Sequence, residues 1–345
     1  MQPKIHILYR FKEGPWGGGN QFLKSLKKYF VSRDYYVNLP KDADVILFNS
    51  HQEVKSVLKL KRKYPKKVFI HRVDGPIAYT RNNDLETDKI IFSFNQAIAN
   101  GTIFQSKWSQ DKSYEQGIKR NSFETVITNA PDPKIFYPQK SKKLQCKKIK
   151  LIATSWSSNA KKGFDIYDFL DKNLDFDKYE MTFVGNSPIK FKQIQQVLPQ
   201  PSYKLAEILR QHDIFITASR NDPCSNALIE GLHCGLPSIA RNDGGHPEII
   251  DEAGELFEDE QNILNAIENV AQNYPHYHDK IKMATMEDVG KMYYEFVDQI
   301  YRCCLNGTYN PKQINKIDLL IIWSKIFKWN AISKIEMGKR LLKVN

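Results

Sequence analysis

Residues 213–257, DIFITASRNDPCSNALIEGLHCGLPSIARNDGGHPEIIDEAGELF, read as strand, loop, helix, strand, loop and strand. The runs 213–217 and 235–240 are short, apolar and rich in β-branched residues, which suits strands buried on both faces of a parallel sheet. Between them Asp222-Pro223 opens a helix, with Ser225 and Asn226 as cap or first-turn residues. Ala227, Leu228, Leu232 and Cys234 supply its buried spacing. Asp222 then stands in the loop above the strand ends, and Glu230 faces the same cleft from two turns down the helix. In a doubly wound sheet that mouth is where ligands bind.

Asp222 and Glu230, separated by seven residues, together with CGLP and GGHPE downstream, resemble the signature of the family-4 glycosyltransferases. These are retaining enzymes of the two-domain GT-B architecture. The resemblance implies an α/β fold in which two Rossmann-like parallel-sheet domains face each other across a cleft. It also implies that Glu230 accepts hydrogen bonds from the ribose of a sugar nucleotide and that the backbone of Cys224, Ser225, Asn226 and Ala227 cradles its diphosphate. A helix N-terminus with free N–H groups is in any case an anion site. The family's first acid is usually Glu, so Asp222 is a one-carbon departure at the donor-sugar contact. Read without the resemblance, either acid fits an ordinary capped helix.

At 345 residues the chain is long enough for two domains, and 41% hydrophobic with 26% charged residues is a globular composition. Five cysteines without framework or zinc spacing point to a reducing compartment. The sequence enters its first strand at residues 4–9 with no signal-peptide pattern, and no run of eighteen apolar residues occurs. The expected location is cytoplasmic, with peripheral attachment to the cytoplasmic membrane face as a second option.

After that first strand comes Gly14-Pro-Trp-Gly-Gly-Gly-Asn20 and an amphipathic helix over 21–30. Glycines there let backbone approach a phosphate, and the resemblance places Gly17, Gly18 and Gly19 opposite the donor diphosphate. Further strands are expected at 44–49, 67–70, 100–105 and 124–128. Asp42-Ala-Asp44 imitates a metal-binding Asp-x-Asp but precedes its strand, the wrong end of a parallel sheet, so no metal is assigned. His71-Arg-Val-Asp-Gly-Pro76 follows the strand expected to end at residue 70. His71 there would bond a donor-sugar hydroxyl and Asp74 would orient or deprotonate an acceptor hydroxyl; the alternatives are a loop histidine and a turn-forming Asp-Gly-Pro. Asn129-Ala-Pro-Asp-Pro133 breaks regular structure before a lysine-rich linker.

The division expected is therefore 1–138 as an acceptor-side domain, 139–149 as the hinge and 150–285 as the nucleotide-sugar domain. A crossover helix at 286–305 and a basic helical tail at 306–345 follow. In the second domain, the family pattern of Arg followed by Lys-Gly survives only as Lys162-Gly163, since Trp156 and Ser157 stand where the Arg would be. By the resemblance Lys162 binds phosphate, while Asn186 and Tyr203 lie at the nucleobase. A developing diphosphate charge would be met by helix N-termini, glycine N–H groups and Lys162, without a metal or other cofactor.

The activity implied is retaining hexosyl transfer from a nucleotide sugar to a saccharide or lipid-linked acceptor, by front-face attack. Alternatives sharing the fold are a sugar-nucleotide epimerase or hydrolase, and a non-catalytic sugar-nucleotide binder. Nucleic acid is not an expected partner. Half of the net charge of +12 sits after Asn306, rather than being interleaved with aromatics on the domains. On a tail helix, Leu319, Ile322, Trp323 and Ile326 share one face and Ser324, Lys325 and Lys328 another. That pattern suits docking of residues 317–343 on an anionic membrane, or equally packing of the apolar face on the first domain.

Overall fold

A computed structural model describes residues 2–14, 16–80, 84–139 and 148–341, with side chains through residue 331. Most of the expected hinge, including Cys146, lies outside the described residues, as do the side chains of Lys334, Lys339, Arg340 and Lys343.

Two parallel sheets organise the chain. The first contains β1 (Ile5–Leu8), β2 (Val45–Asn49), β3 (Val68–Val73), β4 (Gly101–Phe104) and β5 (Glu124–Val126), paired in that order. A bridge from Ile5 to Tyr36 lies beyond β1, so the chain reverses direction of travel across the sheet between β1 and β2. Helices α1 (Gly18–Ser32), α2 (Val54–Lys63), α3 (Ile77–Thr80), α4 (Leu85–Ile98) and α5 (Lys107–Glu115) make the connections. The second sheet contains β6 (Ile149–Ser155), β7 (Tyr179–Gly185), β8 (Gln195–Val197), β9 (Ile214–Thr217), β10 (Ser238–Arg241) and β11 (Gly254–Phe257). Its order is β11-β10-β9-β6-β7-β8, which puts a topological switch between β6 and β9. With it run α6 (Phe164–Asn173), α7 (Ser202–Arg210), α8 (Asn226–His233), α9 (His246–Ile250), α10 (Glu260–Gln272) and α11 (Tyr274–Asp279).

Every residue of β2 and of β9 is buried, as apolar runs covered by helices on both faces require. α12 (Met286–Leu305) is started by a capping box between Thr285 and Asp288 and then returns to the first sheet, where Tyr293, Val297 and Ile300 enter the core with Ile70 and Ile103. Gly101 makes that approach possible, because a Cβ there would stand 2.4 Å from Ile300 Cδ1.

α13 (Lys316–Leu341) closes the chain against α4. Leu319, Ile322, Ile326 and Trp329 pack on Phe48, Phe69 and Phe94, and Trp329 donates from Nε1 to Thr87 Oγ1 at 2.8 Å. The face expected as one candidate for membrane contact is thus mostly spent on the first domain. Ile322 and Ile326 are each about fully buried, a term of roughly 1.5–3 kcal/mol apiece. Trp323 stands apart from them, in solvent. No helix among the described residues is long and apolar enough to cross a membrane.

Candidate functional site

The carboxyl ends of β6 and β9 open into a cavity of about 310 Å³ between the two sheets. The second domain supplies Ser155, Trp156, Ser157 and Lys162 after β6, and Ser219 and Asp222 after β9. The start of α8 adds Cys224, Ser225, Asn226, Ala227 and Glu230. The first domain supplies Trp16, Gly17, Gly18 and Gln21.

Two helix N-termini meet here. Ser225 caps α8 by accepting from the Leu228 N–H, and α1 begins at Gly18 directly opposite. A Cβ on Gly18 would lie 2.2 Å from Asn226 Nδ2, so only glycine allows the two helix ends to approach this closely. Helix N-termini favour anions, and the Lys162 ammonium lines the same cavity.

Lys162 Nζ donates to Asp222 Oδ2 at 2.9 Å, and both side chains are mostly shielded from solvent. Burial works to raise the Asp222 pKa, but Lys162, the nearby His246 and the Cys224 N–H outweigh it and hold the carboxyl below its ordinary range. The loop is fixed from behind: the Gly245 N–H donates to the Asp222 carbonyl at 2.9 Å, and Gly244 at φ +66° passes too close to Asp222 for any side chain. Glu230 is different. Its carboxyl has no hydrogen-bond partner among the described residues, and desolvation raises it to about 8. Burial pushes the Cys224 thiol up to about 12, so at neutral pH that residue offers its backbone and not a thiolate.

Not every residue singled out in the sequence reaches the cavity. Gly19 does not line it. Asn186 turns back to donate to the Trp156 carbonyl at 2.7 Å, and the neighbouring Gly185 lines the wall instead. Tyr203 points to solvent, while Ser202 and Leu205, three apart on α7, share the cavity face.

His71 is the clearest correction. β3 runs on to Val73, so His71 lies inside the strand. It is wholly buried, stacked on Phe48 at 4.3 Å with Nε2 against the Ser50 carbonyl at 3.0 Å. Desolvation lowers it to about 4, with the Ser50 carbonyl opposing, so the ring is neutral. It packs beneath α2 and α4, away from the cleft.

Arg72, the next residue, points to the opposite side of the sheet. Its guanidinium is fully buried and donates to Asn49, Asp74, Gln105 and Asn129. Asp74 also accepts from Asn49 at 2.8 Å and from Gln105 at 2.9 Å, so it is a member of this network. Asn129 then donates to Asn226 Oδ1 at 3.1 Å, joining the network to the first residue of α8. Strand alternation is the signal that finds Arg72: residues 72 and 74 share a face that residue 71 cannot. Asp44 accepts from the Lys4 N–H at 2.8 Å, a structural bond at the start of β2. No cluster of metal-binding side chains occurs among the described residues.

Two further contacts cross the cleft. Glu248 on α9 accepts from the backbone N–H groups of Lys107 and Trp108 at 2.7 Å each, sitting on the N-terminus of α5. Trp16 and Trp156 face each other with ring centroids 5.9 Å apart.

Residues 167–273 match the family model described as glycosyl transferases group 1. A comparison with curated protein sequences finds no match. Among solved structures, Anabaena HepE in complex with UDP-glucose is similar at a TM-score of 0.62 and 14% identity, covering 89% of this chain and 99% of that one. Sucrose-phosphate synthase from Thermosynechococcus elongatus gives 0.62 and 14%, over 89% and 98%. The lipopolysaccharide outer core galactosyltransferase WaaB, in its apo form, gives 0.55 and 12%, over 89% and 100%. With two facing parallel-sheet domains and a returning helix, the fold is GT-B, the architecture of these glycosyltransferases.

Proposed function

We propose that the protein is a retaining glycosyltransferase that moves a hexose from a nucleotide sugar to a saccharide or lipid-linked acceptor without a metal ion. The observation carrying this reading is the convergence of two helix N-termini and Lys162 on the same cavity as the unpartnered carboxyl of Glu230. That set matches a nucleoside diphosphate: cationic and N–H donors for the phosphates, an acceptor for ribose hydroxyls. Because HepE was captured with UDP-glucose, UDP-sugars are the first donors to try.

Bond cleavage leaves an oxocarbenium-like sugar and a growing diphosphate charge. The fixed donors stabilise that charge without reorganising. Asp222, held by Lys162, takes the donor-sugar position, and Asp74 stands at the first-domain side, where an acceptor hydroxyl would be oriented. Front-face attack, with the departing phosphate receiving the acceptor proton, gives retention.

The test is a melting-temperature panel of UDP, GDP, ADP and their sugars, followed by acceptor trials with NMR of the product anomer. A rise with one nucleotide series, transfer that survives EDTA and an unchanged anomeric configuration are expected. Inversion, release of free sugar only, or activity that EDTA removes and Mn²⁺ restores would contradict the proposal.

A further inference from the structure

α13 is apolar on two sides, and only one of them is covered. The buried side holds Ile322 and Ile326 against α4. On the other, Ile317 is 70% exposed, Leu320 70%, Phe327 78%, Ile321 47% and Trp323 42%. At 3.6 residues per turn these five, with Ser324, fall on one continuous arc. A patch of this kind on a globular chain marks an interaction surface.

The charge around the arc selects the occupant. Lys316, exposed at the start of the helix, and Lys328 fall within the arc and Lys325 at its edge; Lys325 donates to Ser93 at 2.6 Å and Lys328 to Glu86 at 3.3 Å. By sequence, eight cations against two acids follow Asn306. Pairing with a second copy through this face would set Lys316 and Lys328 against their own copies across a two-fold axis. An anionic lipid surface accepts both features: Trp and Phe lie at the headgroup boundary and lysines reach the headgroups.

We propose that the Ile317, Leu320, Ile321, Trp323 and Phe327 face of α13 docks on an anionic membrane while the opposite face holds the helix on the first domain. Docking then carries the folded chain to the surface without any melting of the tail. The inference stands apart from the glycosyltransferase reading, since it uses no cleft residue.

The intact chain is sedimented with phosphatidylcholine vesicles, with and without phosphatidylglycerol, alongside Leu320→Glu/Phe327→Glu. Both substituted side chains stand in water, so the variant should melt where the wild type does. The intact chain should bind vesicles containing phosphatidylglycerol, with a blue shift of tryptophan emission that Trp323→Phe diminishes. The double variant should bind at least about tenfold more weakly. The proposal is overturned by any of three results: no preference for phosphatidylglycerol, no emission shift in the intact chain, or a dimer in solution that the double variant splits. The emission shift is read on the unmodified protein, so a misfolded variant would not rescue the idea.

Discussion

The two walls of the cleft are built from the same architecture and present different groups to it. The second-domain wall presents side-chain charge at a sheet switch point: Lys162, Asp222 and Glu230 within one cavity. The first-domain wall presents backbone and shape, with Gly17 and Gly18 at a helix start and Trp16 above them. Its charged groups, Arg72 and Asp74, form a network outside this cavity, in which Arg72 is fully buried and Asp74 is partly exposed. On the proposed reading a nucleotide would be held chiefly from one side, with the other side completing its phosphate contacts only when the domains are as close as Asn129–Asn226 and Glu248–α5 bring them.

If this division holds, substitutions on the two walls will separate binding from turnover. Lys162→Ala should have the largest effect, lowering turnover by roughly 10²–10³, the usual scale for one preorganised donor at a developing anion. Nucleoside binding should change little. Gly18→Ala forces a Cβ onto Asn226 and should cost roughly 10² in turnover through misplacement, with a smaller loss of nucleotide affinity. Equal losses in both quantities would erase the contrast between the walls.

Glu248→Gln removes the charge that sits on α5. It should lower kcat/KM by about tenfold, the scale of one charge-assisted contact, and leave the affinity of the isolated nucleotide unchanged. Finer still is the pH response of Glu230. Its folded pKa of about 8 lies above the ordinary carboxyl value, so the folded state holds a proton the unfolded chain releases. Stability from this group is full below pH 4.5, the unfolded value, and is lost as pH rises through 8. Glu230→Gln should therefore melt roughly 2–4 °C higher than wild type at pH 9, in the empty protein, with the difference vanishing near pH 4.

The same asymmetry explains what the sequence discloses. The second wall is carried by one contiguous stretch whose acids, cap and glycines sit at fixed spacing, and Asp222, Ser225, Asn226 and Glu230 fall in the cavity as that spacing implies. The first-domain network of Asn49, Arg72, Asp74, Gln105 and Asn129 is assembled from the ends of separate strands, and one residue of error in a strand boundary exchanges its faces. Ending β3 at residue 70 put His71 in the loop, whereas the strand continues to Val73 and turns His71 inward and Arg72 toward α1 and α12. On the second wall Asn186 turns back to the Trp156 carbonyl and Tyr203 lies off the cavity face of α7, while their neighbours Gly185 and Ser202 line the cavity. In the tail, periodicity located an apolar face but not a second one, because a helix apolar on both sides has little amphipathic contrast.

The most direct test of the central claim is calorimetric titration of UDP and of uridine into wild type, Glu230→Gln and Lys162→Ala. The predicted result is that Glu230→Gln weakens both ligands by a similar factor, since ribose is common to them. Lys162→Ala should weaken only UDP. Lys162→Ala weakening uridine as much as UDP, or Glu230→Gln leaving both affinities unchanged, would contradict a nucleoside diphosphate site in this cleft.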